Sequence, residues 1–294
     1  MTAPAPVGII GLGIMGAAYA TNLLKGGIAV TGHDPATQAQ EGLRTAGGTP
    51  LPGPREVAES AEILLFALPS AKVLEATVEA MLPALGPRHV IAEMGTLPLK
   101  AKEAARERVA STGAILVDCP VSGTGAQAAV ADLVIFMSGD EAACDRLRPV
   151  FAPMARDIRH VGPFGAGMKV KLVANLLVTI HNLSTAEALI FAQRAGLDLN
   201  LVYDAVRTGA GGSRMFDIRA PLMIEGRYEP ATMKMEVYMK DLSLIMEEAA
   251  AMGVPVPLMA ASLPFYYAAL AQGRHKEDTA ALFAVLEQMT EGRP

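Results

Sequence analysis

Val7-Gly-Ile-Ile-Gly11-Leu12-Gly13-Ile14-Met15-Gly16 is the stretch on which the fold turns, an apolar strand running straight into a glycine-rich turn. A helix follows with Tyr19, Leu23 and Leu24 on one face, and the chain turns back at Gly26-Gly27. A second strand is predicted over Ile28-Ala-Val-Thr31, leading to His33-Asp34-Pro35. Strand, glycine turn, helix, strand and then an acid about twenty residues on form the βαβ unit that binds a dinucleotide. Each glycine has its own physical role. Gly11 permits the tight turn, Gly13 lets backbone approach a pyrophosphate, and Gly16 lets helix and strand pack closely. The helix N-terminus then offers N–H groups and a positive dipole end to the phosphates.

Asp34 bears on cofactor choice. A carboxylate accepts hydrogen bonds from both hydroxyls of an adenine ribose and repels a 2′-phosphate. Pro35, Ala36, Thr37 and Gln38 follow it, with no arginine or lysine among them. NAD is therefore favoured, with NADP retained as the second choice; the competing reading is a turn-forming aspartate before proline.

The pattern repeats outward. Glu56–Glu62 reads as a short helix, and Ile63-Leu-Leu-Phe-Ala-Leu68 as a continuous apolar strand of the kind found in parallel sheets. That strand ends at Leu68-Pro69-Ser70, on the carboxyl side where doubly wound folds take ligands. His89–Glu93 and Ala114–Asp118 are further strands, separated by a helix over Ala101–Thr112. Cys119-Pro-Val-Ser122-Gly123-Thr124-Gly125 is a loop of small residues able to expose N–H groups and a hydroxyl to an anion. Leu133–Met137 and a helix from about Asp140 to Met154 close a first domain, assigned to residues 1–163.

From Ala166 to Ala195 there is no proline, and the apolar pattern persists through Leu172, Leu176, Ile180, Leu183, Ala186 and Ile190. This is a helix of about 45 Å. Gly196 stops it and Asp198 caps the next. Leu199–Thr208, Met239–Met252 and Pro257–Gln272 are also helical, with Gly209–Ser213 as a break. Residues 164–294 thus form a second, all-helical domain. The fold class is α/β: a Rossmann doubly wound sheet followed by an all-α C-terminal domain, joined by the long helix.

At the start of that helix Lys171 and Asn175 stand four apart and share a face. A lysine beside an amide can hold a substrate hydroxyl and take its proton; a solvated lysine and a buried, satisfied asparagine are the plain alternative. Lys169 is a competing candidate without an asparagine one turn on.

Composition narrows the classes. A net charge of −5 argues against a nucleic-acid binder. Two cysteines, Cys119 and Cys144, make neither a disulfide framework nor a metal-ligand spacing, which fits a reducing cytoplasm. The five histidines are scattered, so no metal is expected. Met1–Pro6 lacks the character of a signal peptide. The longest apolar stretches are interrupted by Asn175, His181 or Pro264, so a soluble protein with no membrane span is expected.

Several motifs together resemble the β-hydroxyacid dehydrogenase family, which includes 3-hydroxyisobutyrate, threonate and 6-phosphogluconate dehydrogenases and tartronate semialdehyde reductase. They are Gly11–Gly16 with Ala20 and Asn22-Leu23, Leu68-Pro69-Ser70, Thr96 with Pro98, and Asp118-Cys-Pro-Val-Ser-Gly123. Gly165-Ala-Gly167, Lys171 with Asn175, Ala186-Glu-Ala188 and Lys240-Asp241-Leu242 complete the set, spanning nearly the whole chain. The resemblance implies homodimers or homotetramers acting on a small 3-hydroxy acid or its semialdehyde. It implies Lys171 as general acid/base and Asn175 as its partner on the substrate. Ser122, Gly123 and the backbone at Thr124 would hold the substrate carboxylate, with Ser213 touching the substrate. Thr96 and Lys240 would approach the nicotinamide ribose, and Leu68-Pro69 the adenosine. A lysine is ordinarily protonated at neutral pH, so acceptance of a proton by Lys171 requires burial or nearby positive charge.

Departures from the family pattern cluster at the substrate end. Thr124, Gln127 and Ala131 stand where glycines are common, Glu93 and Gly95 replace an aspartate and a serine, and Arg214 replaces an aromatic residue. Thr124 or Arg214 is expected to shift selectivity toward a more polar or anionic acid, unless Arg214 is an ordinary surface arginine. His181 and Met215-Phe216 look most like the threonate-type members. An imine reductase shares the fold but usually lacks the lysine. A non-catalytic cofactor-binding scaffold would also lack it and would carry extra basic modules.

Overall fold

The computed structural model describes residues 6–290. The expectation that the chain opens without a signal peptide concerns mostly Met1–Ala5, which lie outside the described residues. The chain divides into two compact units within one helix, the first ending at Lys171 and the second beginning at Leu172. The expected domain boundary at 163/164 falls just before that helix.

The first unit alternates strands and helices: β1 (Val7–Ile10), α1 (Ile14–Lys25), β2 (Val30–His33), α2 (Thr37–Thr45), β3 (Thr49–Pro50), α3 (Pro54–Ser60), β4 (Ile63–Phe66), α4 (Ala71–Met81), β5 (Val90–Glu93), α5 (Leu99–Ala110) and β6 (Ile115–Asp118). All six strands are parallel, in the order β3-β2-β1-β4-β5-β6. The order reverses between β1 and β4, and the crevice at that switch point is where the glycine turn lies. Side-chain alternation divides the strands between two cores. Ile9, Leu65, Ala92 and Val117 enter one, while Ile10, Leu64, Phe66, Ile91 and Leu116 enter the other. With helices on both faces, near-continuous apolar strands are what burial demands.

A smaller sheet completes the unit: β7 (Val121–Ser122), α6 (Gly125–Ala129), β8 (Leu133–Met137), α7 (Glu141–Phe151) and β9 (Ala155–His160). Its order is β7-β8-β9, with β7 antiparallel and β9 parallel to β8. β9 is not evident from sequence because Arg156, Asp157 and Arg159 give it the polar profile of an edge strand.

One boundary and one helix differ from expectation for clear reasons. β2 starts at Val30 rather than Ile28, because the Ile28 N–H closes the end of α1 on the Leu23 carbonyl while Gly27 takes φ +77°. That is a glycine-terminated helix end, so Ile28 belongs to the cap. The Arg214–Ile224 helix follows the Gly209–Ser213 break, where none is expected, since Pro221 hides it in sequence.

The second unit is helical. α8 (Ala166–Arg194) runs through the division, followed by α9 (Leu199–Arg207), α10 (Arg214–Ile224), α11 (Met235–Ala251), α12 (Pro257–Ala271) and α13 (Leu282–Thr290). At 29 residues α8 is about 44 Å long. By length and composition alone α8 would also pass for a membrane-crossing helix, a test that core helices pass as well. Its polar residues are internal anchors. Thr179 Oγ1 and the Tyr238 hydroxyl lie 2.8 Å apart and both reach the Asn175 carbonyl. Asn182 donates to the Thr279 carbonyl at 2.8 Å.

Candidate active site

The glycine turn has the geometry its sequence requires. Gly11 sits at φ +90°, and a Cβ there would strike the Ala67 carbonyl oxygen. A Cβ on Gly16 would strike the Gly11 carbonyl oxygen, so the first turn of α1 can rest on the loop only with glycine there. Gly13, the N-cap of α1, borders open space, with nothing within 4 Å of an added Cβ. No side chain caps α1, and Ile14 beside Gly13 is 73% exposed. An uncapped helix N-terminus over an open glycine cradle fits the pyrophosphate of a dinucleotide. Met15 is half-buried, packed against the adjoining core.

Asp34 has more to do than face a ribose. Its Oδ2 accepts the Leu12 N–H at 2.8 Å and its Oδ1 the Ala36 N–H at 2.8 Å. The second bond is the local turn of the competing reading, and the first ties the end of β2 to the glycine loop. Thus the Leu12 N–H is committed to Asp34. Each carboxylate oxygen keeps acceptor capacity for a ribose hydroxyl. At the end of β4, Leu68 is buried, Pro69 is exposed, and Ser70 caps α4 by accepting the Val73 N–H.

The loop after β6 departs from expectation. Gly123 takes φ +141°, and Thr124 caps α6 in a reciprocal capping box with Gln127. The Thr124 N–H donates to Gln127 Oε1 at 3.1 Å, so this backbone donor, expected to face the substrate, is already bonded within the loop. Gln127 in turn donates to Asp132, which pairs with Arg156. Ala131 adopts φ +59°, a conformation that explains why glycine suits that position. Asn22 on α1 donates to the Ala128 carbonyl at 2.7 Å, so the glycine helix also braces this loop.

Beneath the carboxyl ends of β5 and β6 lies a charged group that the sequence does not announce. Lys102 is fully buried, with Nζ 2.6 Å from both Glu93 Oε2 and Asp118 Oδ1. Burial alone would lower the lysine pKa, but Glu93 and Asp118 outweigh it and hold the ammonium above its ordinary value. Burial lifts Glu93, and Lys102 only partly offsets that. Glu93 Oε1 accepts the Gly95 N–H at 2.9 Å, one residue before Thr96. Asp118 Oδ2 accepts the Met168 N–H at 2.7 Å and the Ser138 hydroxyl at 3.1 Å, while Ser138 Oγ accepts the Gly167 N–H at 2.9 Å. The available signal for Lys102 is its register with Ala105 and Val109, which places it on the inner face of α5.

Lys171 and Asn175 are both buried and one turn apart on α8, Lys171 in the first unit and Asn175 in the second. Within the second unit, Asn175 Nδ2 donates to Asp241 Oδ2 at 2.8 Å, and Lys240 lies 3.7 Å from Asp241 Oδ1. A carboxylate only accepts, so the amide has one orientation. Ser213 caps α10 by accepting the Phe216 N–H, and Arg214, the first residue of that helix, is exposed.

A doubly wound parallel sheet with this glycine cradle and acid defines an NAD-binding oxidoreductase. The family described as the NAD binding domain of 6-phosphogluconate dehydrogenase matches residues 6–162. That described as NAD-binding of NADP-dependent 3-hydroxyisobutyrate dehydrogenase matches residues 165–286. An L-threonate dehydrogenase of Cupriavidus necator is 31% identical over 95% of each chain. An NAD-dependent L-serine dehydrogenase of Pseudomonas aeruginosa is 31% identical over 96% of this chain and 97% of its own. Among solved structures, a Mycobacterium tuberculosis 3-hydroxyisobutyrate dehydrogenase with L-serine superposes with a TM-score of 0.88 at 28% identity, covering 96% of this chain and 99% of that one. The chain belongs to the β-hydroxyacid dehydrogenase family.

Proposed function

We propose that the protein oxidises a small, polar 3-hydroxy acid of threonate or serine size, or reduces the matching carbonyl acid, with Lys171 as the general acid/base. The observation that carries this reading is a buried lysine one helical turn from an asparagine whose amide is oriented by Asp241. NAD, when bound, supplies the hydride acceptor. Gly11, Gly13 and Gly16 with Ile14 and Met15 form its pyrophosphate seat, Asp34 takes the ribose, and Leu68-Pro69-Ser70 flank the adenosine. Thr96 and Lys240 serve the nicotinamide-ribose end. Lys171, neutral at that moment, takes the carbinol hydroxyl proton at Nζ, and in the reverse direction returns it. Asn175 holds the same oxygen. Ser122 and Gly123 hold the carboxylate, with Ser213 and Arg214 toward the substrate's far end.

The committed N–H of Thr124 supports a carboxylate seat with fewer backbone donors than the motif alone suggests. The names of the threonate and serine relatives support the polar class. We assign residues 164–294 to substrate binding and dimerisation, and the enzyme to the cytoplasm as a homodimer or homotetramer. The imine reductase and scaffold alternatives are not favoured, since the lysine is present and the relatives are hydroxy-acid dehydrogenases.

The test is the initial rate of nicotinamide reduction with threonate, serine, glycerate, 3-hydroxyisobutyrate, 3-hydroxypropionate and a sulfonate analogue, each with NAD and NADP. A preference for one of the polar acids with NAD is expected. Silence across the panel, with NAD still bound, would overturn the substrate class and leave the fold. Lys171→Ala is expected to lower turnover by at least about a thousandfold with cofactor affinity nearly unchanged.

A further inference from the structure

A buried group of two carboxylates and one ammonium needs a reason to exist, because an apolar replacement of like volume is often as stable. Glu93, Lys102 and Asp118 are all fully buried, two carboxyl groups set against one ammonium. The Asp118 arm of the group meets the N-terminus of α8, where its Oδ2 takes the Met168 N–H at 2.7 Å. A carboxylate is favoured at the positive end of a helix. Ser138 carries the contact one residue further, accepting from Gly167 at 2.9 Å while donating to Asp118.

The approach is as close as backbone allows. A Cβ on Gly167 would lie 2.5 Å from the Phe136 carbonyl oxygen and 3.0 Å from Asp118 Oδ2. Gly167 and Lys171 are four apart on α8 and so lie one above the other on one face. Helical side chains lean toward the N-terminus, so the turn held by Asp118 and Ser138 is the turn that supports Lys171. The other arm of the group, Glu93, holds the Gly95 N–H beside Thr96.

We propose that the buried Glu93–Lys102–Asp118 group, acting through Ser138, is a positioning device for Lys171, holding the first turn of α8 on the carboxyl ends of β5 and β6. Lys102 is a positioning residue: its ammonium, 2.6 Å from each of the two carboxyl groups, holds them in place, and Asp118 transmits that placement to the helix. This rests on the assignment of Lys171 as the acid/base.

The experiment compares Ser138→Ala and Lys102→Gln with the unaltered enzyme and with Lys171→Ala. It measures kcat per bound NAD, KM for both substrates, and the primary deuterium isotope effect on kcat with acid deuterated at the carbinol carbon. Displacing a reacting group by about 1 Å costs up to about a hundredfold in rate. Ser138→Ala is expected to lower kcat about tenfold or more, raise the isotope effect, and leave the KM for NAD within about twofold. Lys102→Gln should do the same more severely; if it fails to fold, Ser138→Ala decides alone. Unchanged kcat and isotope effect in folded Ser138→Ala, with Lys171→Ala inactive, would overturn the positioning role and leave Lys171 as the base. Full activity in Lys171→Ala would instead remove the reading on which it rests.

Discussion

The side-chain amide of Asn175 donates to Asp241 Oδ2 at 2.8 Å, joining α8 to α11 across 66 positions of sequence. The bond fixes which end of the amide faces the carboxylate, and the second hydrogen on Nδ2 is the donor left to meet a substrate oxygen. Asp241→Ala is expected to lower kcat/KM for the hydroxy acid about tenfold to a hundredfold. It should also cost about 1–3 kcal/mol of stability, because a buried donor loses its acceptor. Steady-state kinetics with thermal unfolding measure both, and wild-type kcat/KM would show that Asn175 needs no such orientation.

Asp34 links the end of β2 to the glycine turn through the Leu12 N–H. Its removal should act twice. Hydrogen bonds to a charged group contribute about 1.5–3 kcal/mol, so Asp34→Ala is expected to lower kcat/KM with NAD about tenfold or more. The loss with NADP should be smaller, since the repulsion of a 2′-phosphate goes with the carboxylate. The ratio of the two specificity constants reports this directly. A ratio that does not move would reduce Asp34 to a turn former.

Gly16 cannot accept a side chain without displacing either the first turn of α1 or the Gly11 carbonyl. Gly16→Ala is expected to abolish measurable NAD binding by calorimetry. Gly13→Ala, at a position with open space around it, should leave the fold intact and weaken NAD alone by filling the seat. Equal NAD affinity in Gly13→Ala would place the pyrophosphate elsewhere.

Alkaline pH should destabilise the fold through its two free, buried thiols. Burial pushes Cys144 up to about 11 and holds Cys119 well above its ordinary range, with Cys144 nearby adding to the effect. Both folded-state values lie above the unfolded value of about 8.5. Their contribution is therefore whole below pH 8.5 and is lost as pH rises toward 11, at about 1.4 kcal/mol per pH unit for each thiol. The unfolding midpoint should fall steadily across that window, and less steeply in Cys144→Ala. A flat profile from pH 8.5 to 10 would contradict the burial of these groups.

How much of the site is legible in the sequence depends on how local each contact is. The turn at Gly11–Gly16 and its acid at 34 lie within one βαβ unit, so spacing alone reveals them. The capping box of Thr124 and Gln127 is also local, a Thr with a Gln three residues on, yet small residues on either side make the loop resemble an open anion seat. Lys102 is legible only as one more charged residue in a helix, although its register with Ala105 and Val109 turns it inward. Nothing near it in sequence says that Glu93 and Asp118 wait there.

The amino-acid sequence by itself determined the order of the main strands and helices, β9 and α10 excepted, the glycine cradle, the acid at its far end, and the lysine–asparagine pair on a long helix. Those follow from periodicity and from backbone conformations that only certain residues adopt. Only the tertiary structure decided that Lys102 bridges two strand ends, that Asp118 and Ser138 grip the start of α8, that Asp241 orients Asn175, and that the Thr124 N–H is already taken. Each of these joins groups on different elements, or spends a donor that sequence leaves open. Burial then makes the pairing obligatory, because a charge or N–H removed from water must find its partner inside the fold.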